Sequence, residues 1–216
     1  MRPGDSGTGA AVTAIEVYAD IGCPFTHIGL REVLRWRDRV GRDDVALRVR
    51  AWPLELVNGA PLDPATTEAH IEDLRSQVAP GLFALFDPDH FPRTTLPALA
   101  LAAAAYRRDD GTGEAVSLAL RDSLFEQGRD ISRPEVLAEV ATAFGLGATG
   151  PEDEEAVLAE WHEGESRGVE GSPHFFCGDV DAFCPSLDIS TGRTGDVHVR
   201  RDTEALDRFL ARCFET

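Results

Sequence analysis

The stretch Asp20-Ile21-Gly22-Cys23-Pro24-Phe25-Thr26 places a cysteine directly before a proline, with a threonine three positions further on. Proline suits the first position of a helix, because the amide it lacks would have no partner there. Cys23 then falls at the N-cap. The free amides of the first turn and the helix dipole face its sulfur and favour thiolate over thiol, the form that attacks disulfides. The Thr26 hydroxyl lies one turn on, within reach of a hydrogen bond to that sulfur, and Asp20 opposes the thiolate if it is close. The plain alternative is that Cys23 is a small buried residue at a helix start. A second candidate is Ser172-Pro173, after Gly171. An X-Pro bond at the start of a short strand suits a cis bond in a tight connection, although most such bonds are trans.

The elements that must position these residues follow from periodicity. Residues 14–20 alternate Ile15, Val17 and Ala19 with polar neighbours and read as a strand. Helical spacing runs from Pro24 to about Val40 and stops at Gly41. Val45, Leu47, Val49 and Ala51 alternate into a second strand that ends before Pro53, giving a parallel β-α-β unit. From 62 to 167 only helical patterns occur, about five of them. Thr94 or Thr95 and Ser132 are the expected N-caps, and Gly128 and Gly145 the expected stops. After Gly171 a hairpin is expected, with Asp179-Val180 as its two-residue turn, so that Cys177 opposes Ala182 and Phe175 opposes Cys184. A last amphipathic helix covers 202–214.

Bulk composition narrows the function classes. The 216 residues are 43% hydrophobic and carry a formal charge of −17, from 38 acidic and 21 basic residues, with no lysine. Such a surface repels phosphate backbones and anionic lipid, so neither nucleic acid nor membrane is an expected partner. No run of 18 apolar residues occurs, and residues 1–13 have no apolar leader core and read as a disordered lead-in. A cytoplasmic location is expected. Cysteines at 23, 177, 184 and 213 form no C-x-x-C pair and no clustered metal set, so no metal is expected. Because Cys177 and Cys184 do not face each other in the expected hairpin, they read as inert strand thiols, and Cys213 as structural. His27, His90, His162, His174 and His198 have no metal-ligand spacing; His27, in the second turn of the helix, is a candidate to border the pocket. Trp52, at the end of the second strand, is a candidate for the groove wall, with core packing the alternative.

Taken together, these pieces resemble the DsbA-like branch of the thioredoxin fold, which includes FrnE-type oxidoreductases, 2-hydroxychromene-2-carboxylate isomerases and kappa-class glutathione transferases. The resemblance rests on D-x-x-C-P-x-x-x-x-G, from Asp20 to Gly29, and on G-V-x-G-x-P-x-F, matched by Gly168, Val169, Gly171, Pro173 and Phe175. It covers about residues 14 to 214. It implies an α/β thioredoxin-like domain from 14–61 and 168–216, interrupted by a helical insertion at 62–167. It also implies a cis Pro173 packed against the active-site sulfur. Dithiol members carry a resolving cysteine where this chain has Thr26. The resemblance therefore implies a thiol–disulfide oxidoreductase with Cys23 as sole nucleophile and Thr26 assisting. Pro24, Phe25, Ser172, Pro173 and Trp52 would meet the substrate. Glutathione or mycothiol is the implied co-substrate, with no cofactor permanently bound. The alternatives are a glutathione- or mycothiol-dependent isomerase or transferase, and a non-catalytic interaction domain. The oligomeric state stays open, a homodimer included.

Overall fold

The computed structural model describes residues 14–192 and 197–214; the expected lead-in at 1–13 lies outside them. Strand β1 (Ala14–Ala19) leads into α1 (Pro24–Val40), and β2 (Ala46–Ala51) returns parallel to β1 with Val17 opposite Val49. Gly41 ends α1 in the left-handed region at φ 68°, which glycine adopts without a Cβ penalty, and its amide donates to the Arg37 carbonyl. Six helices follow: α2 (Leu54–Val57), α3 (Pro64–Gln77), α4 (Leu96–Arg108), α5 (Asp110–Phe125), α6 (Pro134–Ala143) and α7 (Pro151–Ser166). Strands β3 (His174–Cys177) and β4 (Val180–Phe183) complete a four-stranded sheet in the order β2-β1-β3-β4, with β3 antiparallel to β1. Then β5 (Leu187–Thr191) and β6 (Val197–Arg201) form a separate two-stranded sheet before α8 (Thr203–Phe214). Among the described residues no helix is long and apolar enough to cross a membrane.

Alternation along β1 and β2 puts Ile15, Val17, Leu47 and Val49 into one core with Leu30 and Val33 of α1 and Leu206, Phe209 and Leu210 of α8. A second core joins the helices between β2 and β3 to the start of α1, through Ile21 and Ile28 packed with residues such as Leu99, Leu120 and Phe125. The Cys23 region therefore sits at the junction of the helical block with the sheet.

Several local expectations need correction. The hairpin turn is Gly178-Asp179, with Cys177 opposite Val180 and Phe175 opposite Ala182. Gly178 at φ 60° supplies the positive dihedral that such a turn demands, which Val180 would resist. Cys177 and Cys184 are still not paired across the hairpin. The expected second hairpin strand breaks after Phe183, where Cys184 takes φ 44°, and its continuation forms β5. The α2 turn and β6 were not anticipated; both are too short to carry a periodic signal. Ser132 is not a cap: its amide and hydroxyl both donate to Asp130 Oδ1, and Arg133 precedes α6. Thr95 precedes α4 without a side-chain cap bond, and the Leu96 amide donates instead to Thr94 Oγ1 at 3.3 Å.

Candidate active site

Cys23 stands at the N-cap of α1 with Pro24 at the first helical position, in an extended conformation (φ −85°, ψ 114°). It is only 4% exposed. Its sulfur makes no capping bond to the first-turn amides, contrary to the sequence expectation. The thiol donates instead to the Ser172 carbonyl at 3.1 Å. The Ser172-Pro173 bond is cis. Ser172 is the hub of the site: its hydroxyl accepts from the Asp20 amide at 2.9 Å and pairs with Thr26 Oγ1 at 2.9 Å. Thr26, fully buried, thus meets the hydroxyl of Ser172 and not the Cys23 sulfur. Pro173 is buried against α1 at Gly29, where an added Cβ would lie 3.6 Å from Pro173 Cγ and 3.3 Å from Ser186 Oγ.

Behind the cysteine lies a fully buried polar pair. Asp20 Oδ1 accepts from the Gly22 amide at 2.7 Å, and Oδ2 from the Leu54 amide at 2.7 Å and Thr95 Oγ1 at 3.0 Å. This ties the Gly22-Cys23 turn to α2 and to the start of α4. Burial pushes the Asp20 carboxyl up, and those three donors and the nearby Arg121 charge counter it without cancelling it. Arg121 of α5 is fully buried; it donates to the Asp20 carbonyl at 3.1 Å and to the Ser117 carbonyl and hydroxyl, while its Nε has no partner. Burial pushes the guanidinium down to about 10, against the pull of Tyr106, Asp20 and Cys23, so it keeps its charge at neutral pH. Sequence reasoning did not single out Arg121. The available signal was one arginine on the face of α5 that also carries Ser117, Leu120 and Leu124.

The sulfur opens onto a cleft of about 370 Å³ between the start of α1 and helices α2 and α3. Pro24, Phe25 and Ser172 line it, while Pro173 is buried and does not. Trp52 does not: it is 4% exposed and packs edge-on to Tyr18, over Gly164 of α7, where an added Cβ would fall 2.8 Å from its ring. His70, a residue the sequence did not single out, lines the cleft, its ring centroid 5.4 Å from that of Phe25. Its place in α3 follows no chemical spacing, so only the fold reveals it. His174 is structural: Nδ1 accepts from the Glu170 amide, leaving Nε2 to donate to Asp181. Among the other thiols, Cys184 is buried next to the cis bond, with its amide donating to the Pro173 carbonyl at 3.0 Å; burial, with a contribution from Cys23, pushes its thiol up to about 12. Burial also pushes the Cys213 thiol up, beside Cys177. All four cysteines are free.

His27 does not border the pocket. It is fully buried between Phe83 and Phe125, accepts from Arg31 at Nδ1, and so donates from Nε2 to Glu126 at 2.7 Å. Burial pushes the Glu126 carboxyl up, but the donations from His27 and the Phe83 and Ala84 amides outweigh it and hold the group at about 2. Burial pushes His27 down despite Glu126, so the folded imidazole is neutral near pH 7. Both groups act in the same direction. A depressed carboxyl contributes stability above its unfolded value of 4.5 that is lost as pH falls toward about 2. A depressed histidine contributes full stability above its unfolded value of 6.5 and loses it as pH falls below that. Urea unfolding at stepped pH should therefore show stability falling from about pH 6.5 downward, and Glu126→Gln should flatten the part below about 4.5. An unchanged acid limb in the variant would show that this pair does not govern it.

A strand followed by Cys-Pro at a helix start, with a cis-proline just before an antiparallel strand of the same sheet, is the arrangement of a thioredoxin-like fold. The DSBA-like thioredoxin domain family matches residues 14–192, and the chain belongs to that family. Solved structures similar to it include a 2-hydroxychromene-2-carboxylate isomerase, with a TM-score of 0.61 at 16% identity over 79% of this chain and 88% of that one. Another is the cytosolic disulfide reductase DsbM from Pseudomonas aeruginosa, with a TM-score of 0.54 at 19% identity over 94% of each chain. DsbM with GSH matches with a TM-score of 0.55 at 18% identity, again over 94% of each chain. No curated protein matches the sequence.

Proposed function

We propose that this chain is a thiol–disulfide oxidoreductase that works through Cys23 alone, with a low-molecular-weight thiol completing the cycle. The observation that carries the reading is a single cysteine at the start of α1, set against the cis Ser172-Pro173 bond and opening onto a cleft, with Thr26 where a resolving thiol would stand. The Cys23 thiolate attacks one sulfur of a disulfide R–S–S–R′. That S–S bond breaks, Cys23–S–S–R forms, and R′–S⁻ leaves and takes a proton from water. A second small thiolate then attacks the sulfur of the R group, forms a new disulfide with it and returns Cys23 as thiolate. Ser172 borders the entering substrate with Pro173 buried behind it, Thr26 holds Ser172 in place, and Pro24 and Phe25 border the entering group. Cys184 does not resolve the mixed disulfide, because a thiol pushed up to about 12 is a poor nucleophile at neutral pH. Four free thiols suit a reducing compartment, and we place the activity in the cytoplasm.

A second reading is an isomerase or transferase that binds a reduced thiol and polarises it. It is favoured by the hydrogen-bonded hydroxyls of Thr26 and Ser172, the residue whose carbonyl takes the Cys23 thiol, and by the likeness to an isomerase. Intact mass after treatment of the reduced protein with a small disulfide separates the two. One adduct, absent in Cys23→Ser and reversed by excess thiol, is the expected result. Saturable binding of reduced thiol without any adduct supports the isomerase or transferase.

A further inference from the structure

We infer that the cleft at Cys23 is built for an uncharged small thiol and discriminates against glutathione disulfide, an anion. This deepens the exchange reading above and rests on it. One wall is apolar, from Phe25, Leu54 and Leu62. The other is the start of α3, where Asp63, Thr66, Thr67 and His70 face the cavity. Among the described residues, Asp63 is the single formally charged side chain on that lining, and no arginine contributes to it. Lysine is absent from the chain altogether.

Two described arginines border this region without lining the cleft. Arg121 is fully buried behind Cys23, with its two Nη groups donating to Asp20 and Ser117. Arg93 lies in a separate pocket on the far side of Pro61 and Leu62, together with Glu55. Asp63 is a fixed negative charge: it caps α3, accepting from the Thr66 hydroxyl at 2.6 Å and the Thr66 amide at 2.8 Å, and those donations hold its carboxyl below the usual range. Burial holds His70 below its ordinary value, so it is neutral at pH 7 and supplies no counter-charge. Carboxylates of an entering glutathione unit would thus find no cation among the described residues of the walls and one like charge, under the repulsion of a chain with a net charge of −17. A hydroxyl-bearing thiol meets instead the neutral polar groups of Asn58, Thr66 and Thr67.

The test compares two probes, bis(2-hydroxyethyl) disulfide and glutathione disulfide. The rate of Cys23 adduct formation is followed by intact mass at low and high salt. Each rate is divided by the same probe's rate with a short cysteine peptide, which removes intrinsic reactivity. Glutathione disulfide should be slower by about tenfold at low salt, and the gap should narrow at high salt. It should also narrow in Asp63→Asn, which preserves the helix cap while removing the charge. Equal or faster reaction with glutathione disulfide overturns the inference, as does a gap indifferent to both salt and Asp63→Asn, which would point to size. If neither probe modifies Cys23, the exchange reading itself fails and this inference falls with it.

Discussion

An Arg121→Met variant is expected to lose roughly 3 kcal/mol of stability at neutral pH. Methionine fills most of the volume and removes the cost of the orphaned Nε, but three bonds go with the guanidinium. The Asp20 carbonyl loses a donor, and the Asp20 carboxyl, already pushed up by burial, loses its buried counter-charge. Breaking one side of a buried charge pair is the expensive case, because the partner stays buried. The pH dependence distinguishes this from simple loss of packing. A carboxyl whose folded value is raised leaves stability intact below its unfolded value and erodes it as pH rises. The deficit of the variant should therefore be smallest near pH 4 and grow toward neutrality, as chemical unfolding at several pH values would show. A deficit constant across that range would assign Arg121 a purely steric role.

Gly113→Ala is the second large effect. Alanine in a helix interior ordinarily gains about 1 kcal/mol over glycine. Here an added Cβ would sit 2.1 Å from Tyr106 Cδ1, and the ring cannot turn aside freely. The Tyr106 hydroxyl accepts from the Val49 amide at 2.9 Å and donates to the Leu47 carbonyl at 3.0 Å, fixing α4 to β2. Overpacking typically costs about 1–3 kcal/mol, and each buried bond lost adds about 1. The net should be a loss of about 3 kcal/mol. For a chain of this length that is a fall of roughly 6–12 °C in Tm, measurable by far-UV circular dichroism. A variant as stable as the parent would mean that the α4–α5 contact is looser than the geometry states.

The legible parts of this site were those whose signals are local. The alternation of Ile15, Val17 and Ala19 and the proline after Cys23 place a cysteine at a strand-to-helix turn with no further information. Ser172-Pro173 stood out locally as a candidate cis bond, but its place beside Cys23 came only from the family resemblance, since nothing in an X-Pro pair states that it lies against a residue about 150 positions away. Trp52 was misplaced because its size suits a groove as well as a core. Gly164 decides the matter by letting α7 come down on its ring, and that contact has no echo at position 52. The hairpin register turned on which residue takes the positive dihedral, and Gly178 was the better choice on local grounds. His70 and Arg121 belong to the helical block, whose amphipathic patterns set helices but not which face meets Cys23.

The dependence of the site on Ser172 also bears on the chain as it is made. The Ser172 carbonyl that takes the Cys23 thiol, and the hydroxyl that takes the Asp20 amide and Thr26, lie 146 to 152 residues downstream of their partners. At about 5–20 residues per second, synthesis delivers Ser172 roughly 7–30 seconds after Cys23. During that interval the cysteine has its neighbours from α1 to α3 but not the Ser172 carbonyl that takes its thiol. The half of the site that Ser172 supplies is therefore completed only when four-fifths of the chain has been made.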